Sequence, residues 1–375
     1  MFKKSILVIL ILSVLNSCDN QSESPNIIMM IGDGMGISQV STSMYSNDNY
    51  TPLERSEYVG LSKTHAVDDL ITDSAASGTA LSSGVKTYNG VLGLDKDFNP
   101  VKSILEICRD KGYMTAILVT STIVHATPAA YYSKSKSRYE YDNIAVELSK
   151  SNINLFVGGG ERYFNDREDD RNLMEEMKSY VFVNNLEEEY KNTNSKNIGF
   201  FTAYDDPSEK YLGREPSLDD IIDITLQKLK SYNKPFFLLV EGSQIDWAEH
   251  DNDPEYLLSE MLEFDRAIKS SYDFVDKNKN TLVVVTADHE TGGASIIDGD
   301  VEKSIVKTEY SSENHTAEMV PVYSYGYNSS NFTGVYDNTE IFDKLKSIIE
   351  KWKNYFYYLW YLHFHVKLNL LMLMY

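Results

Sequence analysis

The chain is poor in cysteine, in positive charge and in long apolar runs, and each shortage closes off a class of protein. Two cysteines in 375 residues, Cys18 and Cys108, cannot staple a small disulfide scaffold. Thirty-five Lys plus Arg face 56 Asp plus Glu, and the resulting −21 argues against a nucleic-acid backbone or an anionic membrane surface as the main partner. Nine prolines and 20 glycines, with no visible repeat, exclude a collagen-like or low-complexity chain. The apolar run from Ile6 to Leu15 falls short of the roughly 20 residues a spanning helix needs. What remains is ordinary globular usage, 42% apolar and 24% charged, in a chain long enough for one large domain or two smaller ones.

The two ends differ from the rest. Residues 1–17 place Lys3 and Lys4 ahead of the short apolar run, the pattern of a secretory signal. Leu15-Asn16-Ser17-Cys18 resembles a bacterial lipobox, so Cys18 is expected to carry lipid and residues 18–25 to form a tether. An exported lipoprotein, periplasmic or outer-membrane-associated, follows from that reading. At the other end, residues 354–375 carry eight aromatics, one Lys and no Asp or Glu, a composition foreign to the rest of the chain. Lys367 and two histidines interrupt the tail, which weakens a membrane-spanning role.

Between the ends, strand and helix alternate. The short apolar runs Ile27 to Ile31, Thr115 to Val119, Asn154 to Val157, Phe236 to Val240 and Leu282 to Val285 read as strands buried on both faces. Over 254–276, Leu257, Met261, Phe264, Ile268, Tyr272 and Val275 recur at helical steps and mark one buried face. Ser217 is expected to cap another helix, with Asp220 completing a capping box. Ile104, Leu105 and Cys108 share a helix face, which predicts a buried free thiol. The fold class is therefore α/β, a mostly parallel central sheet with helices on both faces. Residues 26–353 read as a single domain, with a surface insertion at about 160–215, where the sequence is acidic, Asn-rich and weakly periodic.

In such a sheet, ligands bind beyond the carboxyl ends of the strands. The first run leads into Asp33-Gly34-Met35-Gly36, the fourth into Glu241 through His250, and the fifth into Ala287-Asp288-His289-Glu290. Asp246 and His250 stand four apart, so a helix stacks them on one face, where they suit a shared metal. His315 also has an acidic neighbourhood.

Six ordered motifs carry a resemblance: Asp33 to Gly36, Thr72 to Ala80, His125 to Ala130, Glu241 to His250, Ala287 to Gly293, and His315-Thr316. Together they resemble the alkaline phosphatase family, most closely its compact, cold-adapted bacterial members. The resemblance implies two zinc ions and one magnesium ion. Asp246, His250 and His315 would hold the first zinc, and Asp33, Asp288 and His289 the second, joined by Ser74. Asp33, Thr127 and Glu241 would hold magnesium. Imidazole with carboxylate suits zinc, and an all-oxygen set suits magnesium. Ser74 would be the nucleophile, set on a helix that Asp73 can cap, and Arg138 the clamp for phosphate oxygens. His125 and Trp247 stand where the enterobacterial pattern has aspartate and lysine, so an imidazole could recruit zinc to the third site.

The implied reaction is hydrolysis of small phosphate monoesters through a phosphoserine intermediate. A phosphodiesterase of the same superfamily and a non-catalytic, lipid-anchored metal or phosphate binder are the rivals. No Cys or Ser stands in a C/S-x-P-x-R context, which disfavours a sulfatase. Nucleic-acid binding is not expected, the membrane partner would be reached through the N-terminal lipid anchor, and a homodimer is left open.

Overall fold

The computed structural model describes residues 24–350. The signal segment, Cys18 and the tail at 354–375 lie outside the described residues. In chain order the strands are β1 Asn26–Gly32, β2 Tyr58–Lys63, β3 Met114–Thr122, β4 Leu155–Gly159, β5 Val181–Val183, β6 Ile198–Phe201 and β7 Phe236–Gly242. They continue with β8 Thr281–Thr286, β9 Glu290–Thr291, β10 Ala294–Asp300, β11 Ile305–Tyr310, β12 His315–Thr316, β13 Val320–Gly326 and β14 Gly334–Asp337. Ten of them form one sheet in the order β14-β2-β13-β8-β1-β7-β3-β4-β6-β5. Every pairing in it is parallel except those of β13, which runs against both β2 and β8.

The centre of the sheet explains why its strands read as unbroken apolar runs. In β1, Ile27, Met29 and Ile31 enter the core on one face, while Ile28 and Met30 enter the core on the other. In β7, Phe237 and Leu239 face one way and Phe236, Leu238 and Val240 the other. Each such side chain, fully buried, contributes about 1.5–3 kcal/mol. Helices Ser74–Ser83, Ile104–Asp110 and Tyr141–Lys150 cover the first face, together with the helical residues 339–350. Helices Leu218–Ser231, Gln244–His250 and Pro254–Lys277 cover the second.

Local details follow the sequence with one difference. Cys108 is a buried free thiol. Helix Pro254–Lys277 buries Leu257, Met261, Phe264, Ile268, Tyr272 and Val275, the face marked by their spacing. Ser217 does cap its helix, accepting from the Asp220 N–H at 3.3 Å, but the box is not reciprocal. The Asp220 carboxylate instead accepts the Ser217 hydroxyl at 2.7 Å. Aspartate is one methylene shorter than glutamate, and the reciprocal box forms at Ser103 and Glu106. The weakly periodic segment at 160–215 contributes β5 and β6, which extend the main sheet beyond β4.

Candidate active site

Four neighbouring strands, β8, β1, β7 and β3, end at one edge of the sheet, and the loops after them supply most of the side chains singled out above. Asp33 directly follows β1 and is fully buried. Gly34 after it has φ +73°, and a Cβ there would stand 3.0 Å from Asp246 Cα, so glycine lets this turn lie against helix Gln244–His250. Glu241 lies within β7 and is fully buried, as are Asp288 and His289 just beyond β8. Asp246 is 4% exposed on its short helix. His315 comes from β12, which pairs with β9 and so stands beside His289. Thr127 sits in the short helix Ala126–Ala129 after β3.

The imidazoles are oriented from behind. His250 Nδ1 lies 2.6 Å from the Glu313 carbonyl and His315 Nδ1 lies 2.8 Å from the Thr72 carbonyl. A carbonyl only accepts, so both Nδ1 atoms carry hydrogen and both Nε2 atoms turn inward. Thr291 Oγ1 donates to Asp246 Oδ1 at 2.6 Å, which leaves its lone pair for His289 Nδ1 at 3.2 Å. Inside the site, the Nε2 atoms of His250 and His315 are 3.2 Å apart. His250 Nε2 is 3.3 Å from Asp246 Oδ2, and His289 Nε2 is 3.1 Å from Asp288 Oδ2 and 3.5 Å from Asp33 Oδ1. A proton relieves such contacts one at a time. A divalent cation relieves them together.

The carboxylates make the same demand. Asp33 Oδ1, Asp288 Oδ2 and Glu241 Oε1 are buried without a hydrogen-bond partner. Burial, reinforced by Asp288, pushes the Asp33 carboxyl well above the usual range, and burial lifts Glu241 to about 7. Burial acts the same way on Asp246, yet the surrounding histidines hold it below the usual range. Among the described residues, three groups have ligand atoms within 4.8 Å of one another: Asp33, Asp288 and His289; Asp246, His289 and His315; and Asp33, His125 and Glu241. The second group contains His289 where the sequence reading had His250, so His289 borders two positions. In the third, Thr127 Oγ1 reaches Asp33 Oδ2 at 3.4 Å.

Ser74 opens helix Ser74–Ser83, with Asp73 as its cap accepting from the Ala76 N–H at 2.9 Å. Its Oγ lies 3.3 Å from His289 Nε2, at the rim of the buried carboxylates. Arg138 is held by Asp73 at 3.1 Å through one Nη and donates to His125 Nε2 at 3.3 Å through the other. Burial and the Arg138 charge push His125 down to about 3, so it stays a neutral imidazole. Trp247 meets the His125 ring edge to face at 5.8 Å. The sequence reading gave Asp73 only a capping role and passed over Thr291. Adjacency to Ser74 and the two-residue step from His289 were the available signals.

The alkaline phosphatase family model matches residues 24–308. Alkaline phosphatase 3 of Bacillus subtilis is 37% identical over 86% of this chain and 88% of its own. Alkaline phosphatase 4 of the same organism is 42% identical over 74% of this chain and 64% of its own. Among solved structures, the alkaline phosphatase of the Antarctic bacterium TAB5 is similar at a TM-score of 0.83 and 35% identity, covering 88% of this chain and 98% of that one. A histidine-to-glutamate variant of that enzyme, with Mg bound in its M3 site, is similar at the same TM-score and 34% identity, over 88% of this chain and 99% of that one. A match of this breadth, on a chain whose strand ends converge on a cluster that demands cations, settles its family: it belongs to the alkaline phosphatases, hydrolases of phosphate monoesters.

Proposed function

We propose that this chain hydrolyses small phosphate monoesters through a phosphoserine formed on Ser74. The observation that carries the proposal is the position of Ser74 Oγ, 3.3 Å from His289 Nε2 and at the head of a capped helix. The donor set fits the metals the family resemblance implies: orphaned carboxylate oxygens and inward imidazole nitrogens have no better occupant. Asp246, His250 and His315 would hold one zinc, Asp33, Asp288 and His289 a second beside Ser74, and Asp33, Thr127 and Glu241 a magnesium ion. His125, grouped with Asp33 and Glu241, would favour zinc there instead in the tautomer that frees Nδ1, which gives up acceptance from Arg138 at Nε2. Bound ions supply Lewis acidity at the phosphate and make ionisation of a nearby hydroxyl easier.

The chain's own groups do the rest. Ser74 Oγ forms the bond to phosphorus while the bond to the leaving alcohol breaks, and water later releases phosphate from the serine. The free N–H groups of helix Ser74–Ser83 face the anion. Arg138, held from behind by Asp73 and His125, offers its planar guanidinium to non-bridging oxygens, a geometry that lysine cannot supply. The sequence of residues 1–25 supports export as a lipoprotein anchored through Cys18.

Hydrolysis of an aryl phosphate monoester and of the matching diester by purified protein, with and without chelator, tests the reading. Chelator-sensitive turnover that favours the monoester is expected. Preference for the diester would instead support the phosphodiesterase, and tight phosphate binding without turnover a scavenger.

A further inference from the structure

The net charge of −21 is unevenly placed, and the parallel sheet shows how. Strands β3 to β8 all run the same way, so the residues that precede them lie at one end of the molecule and those that follow lie at the other. Within five residues ahead of each strand stands a lysine: Lys111, Lys150, Lys178, Lys196, Lys234 and Lys279 in turn. Arg109 and Lys277 bring the basic residues of these stretches to eight, against three acidic ones. Asp110 is paired with Lys102, Glu176 with Arg171, and Asp276 with both Arg55 and Lys279, so Lys279 shares its charge with that carboxylate. The five residues that follow the same strands contain eight acidic residues and one arginine. A lysine in the last turn of a helix complements the helix dipole, which accounts for Lys150 and Lys277. Lys111 caps the end of helix Ile104–Asp110 in the same way, and Lys279 pairs with Asp276 at 3.0 Å; neither reason covers Lys178, Lys196 or Lys234, which lie in the returning loops.

The chain also leaves the fold on this basal face. Ser24, six residues after Cys18, accepts from Asn280 Nδ2 at 3.3 Å, and the Asn26 N–H donates to the Asn280 carbonyl at 2.9 Å. Helical residues 339–350 follow β14 and pack against the sheet through Ile341, Leu345, Ile348 and Ile349. Beside Ser24 lies a hollow of about 450 Å³, bordered by Asn26, Lys230, Asn233, Lys234 and Lys279.

We propose that this lysine-rich face docks on an anionic phospholipid bilayer, with lipid phosphates against Lys230, Lys234 and Lys279. The inference builds on the anchoring reading by adding a surface and an orientation. A strand of seven residues spans about 23 Å, more than twice the roughly 10 Å screening length at 0.1 M salt, so the acidic end does not oppose the contact. Clustered lysines at a bilayer surface act together. The orientation points the Ser74 site away from the membrane, toward soluble phosphate esters.

The test uses the full chain carrying Cys18→Ser, so failure of lipidation cannot imitate failure of docking. Co-sedimentation is measured with vesicles of phosphatidylglycerol and phosphatidylcholine, and with phosphatidylcholine alone. Expected are binding to the mixed vesicles only, loss in 0.5 M salt, and at least tenfold weaker binding for Lys230→Glu/Lys234→Glu/Lys279→Glu with phosphatase activity kept. Reversing Lys303 and Lys307, on the β10–β11 hairpin outside the basal stretches, should leave binding unchanged. Equal binding to both vesicle types, no binding to either, or equal effects of the two sets of reversals would each overturn the proposal.

Discussion

At the scale of single residues, the site is a problem of lone pairs. Nε2 of His250, His289 and His315 and carboxylate oxygens of Asp33, Asp246 and Asp288 lie 3.1–3.5 Å from one another, and the hydrogen bonds behind the imidazoles leave them nowhere else to turn. Replacing His250 with Ala removes one of those donors, so we expect loss of about one zinc per chain by elemental analysis and a fall in turnover of roughly 100-fold or more. Unchanged zinc content would refute its role. Ser74→Ala should keep its metals, because the hydroxyl adds only one ligand to a site with three other protein donors. Turnover should fall at least about 10³-fold, and no phosphate adduct should appear in the intact mass after acid quench. A trapped adduct in that variant would remove Ser74 from the mechanism. Asp33, Asp288 and His289 were legible in the sequence because each stands just after a strand, whereas Ser74 and His315 were legible through the motifs that carry the resemblance. The partner of Arg138 was not, because His125 Nε2 reaches it through space, across a 13-residue loop that spacing alone cannot close.

At the scale of elements, what was legible tracks how much of an element's pattern is written locally. The central strands β1, β7 and β8 are buried on both faces, so their apolar runs are continuous and stand out. β5 and β6, at three and four residues, are too short to show a period, and their place at the sheet's edge is fixed by pairing with β4 rather than by composition. The antiparallel insertion of β13 between β2 and β8 is equally invisible in a linear pattern. Helix starts were half legible: a serine announces a cap, but whether the box closes depends on the reach of the acid. Two substitutions separate the cases. Ser217→Ala should cost about 1 kcal/mol in urea unfolding, since one N–H loses its acceptor. Ser103→Ala should cost more, about 2 kcal/mol, because Ser103 Oγ also donates to the Tyr131 carbonyl at 2.6 Å in the core. Phosphatase activity at 25 °C should persist in both. Equal costs would mean that the Ser103 network adds nothing beyond its cap.

At the scale of the whole molecule, the same few buried charges link function to stability. Four carboxylates, Asp33, Glu241, Asp246 and Asp288, sit inside the fold, and ions that bind the native state but not the unfolded chain must raise the melting temperature. Stripping metal with a chelator should therefore lower Tm by several degrees, and restoring zinc and magnesium should return it; a Tm indifferent to chelator would mean that no ion is held there. The carboxyl-terminal segment should behave in the opposite way. Ile341, Leu345, Ile348 and Ile349 in the helical residues 339–350 are buried against the sheet, so that face of the core is closed before residue 354 is reached. Large exposed apolar side chains among the described residues fall in small groups, Ile297, Val301 and Ile305 on the β10–β11 hairpin, Val59 and Val335 on β2 and β14, and Leu70 with Ile71, each small for a seat of eight aromatics. Ending the chain after Lys353 should thus leave Tm within about 1 °C and turnover unchanged, while raising the soluble yield. A shortened protein that melts several degrees lower, or that loses turnover, would show that residues 354–375 complete the fold.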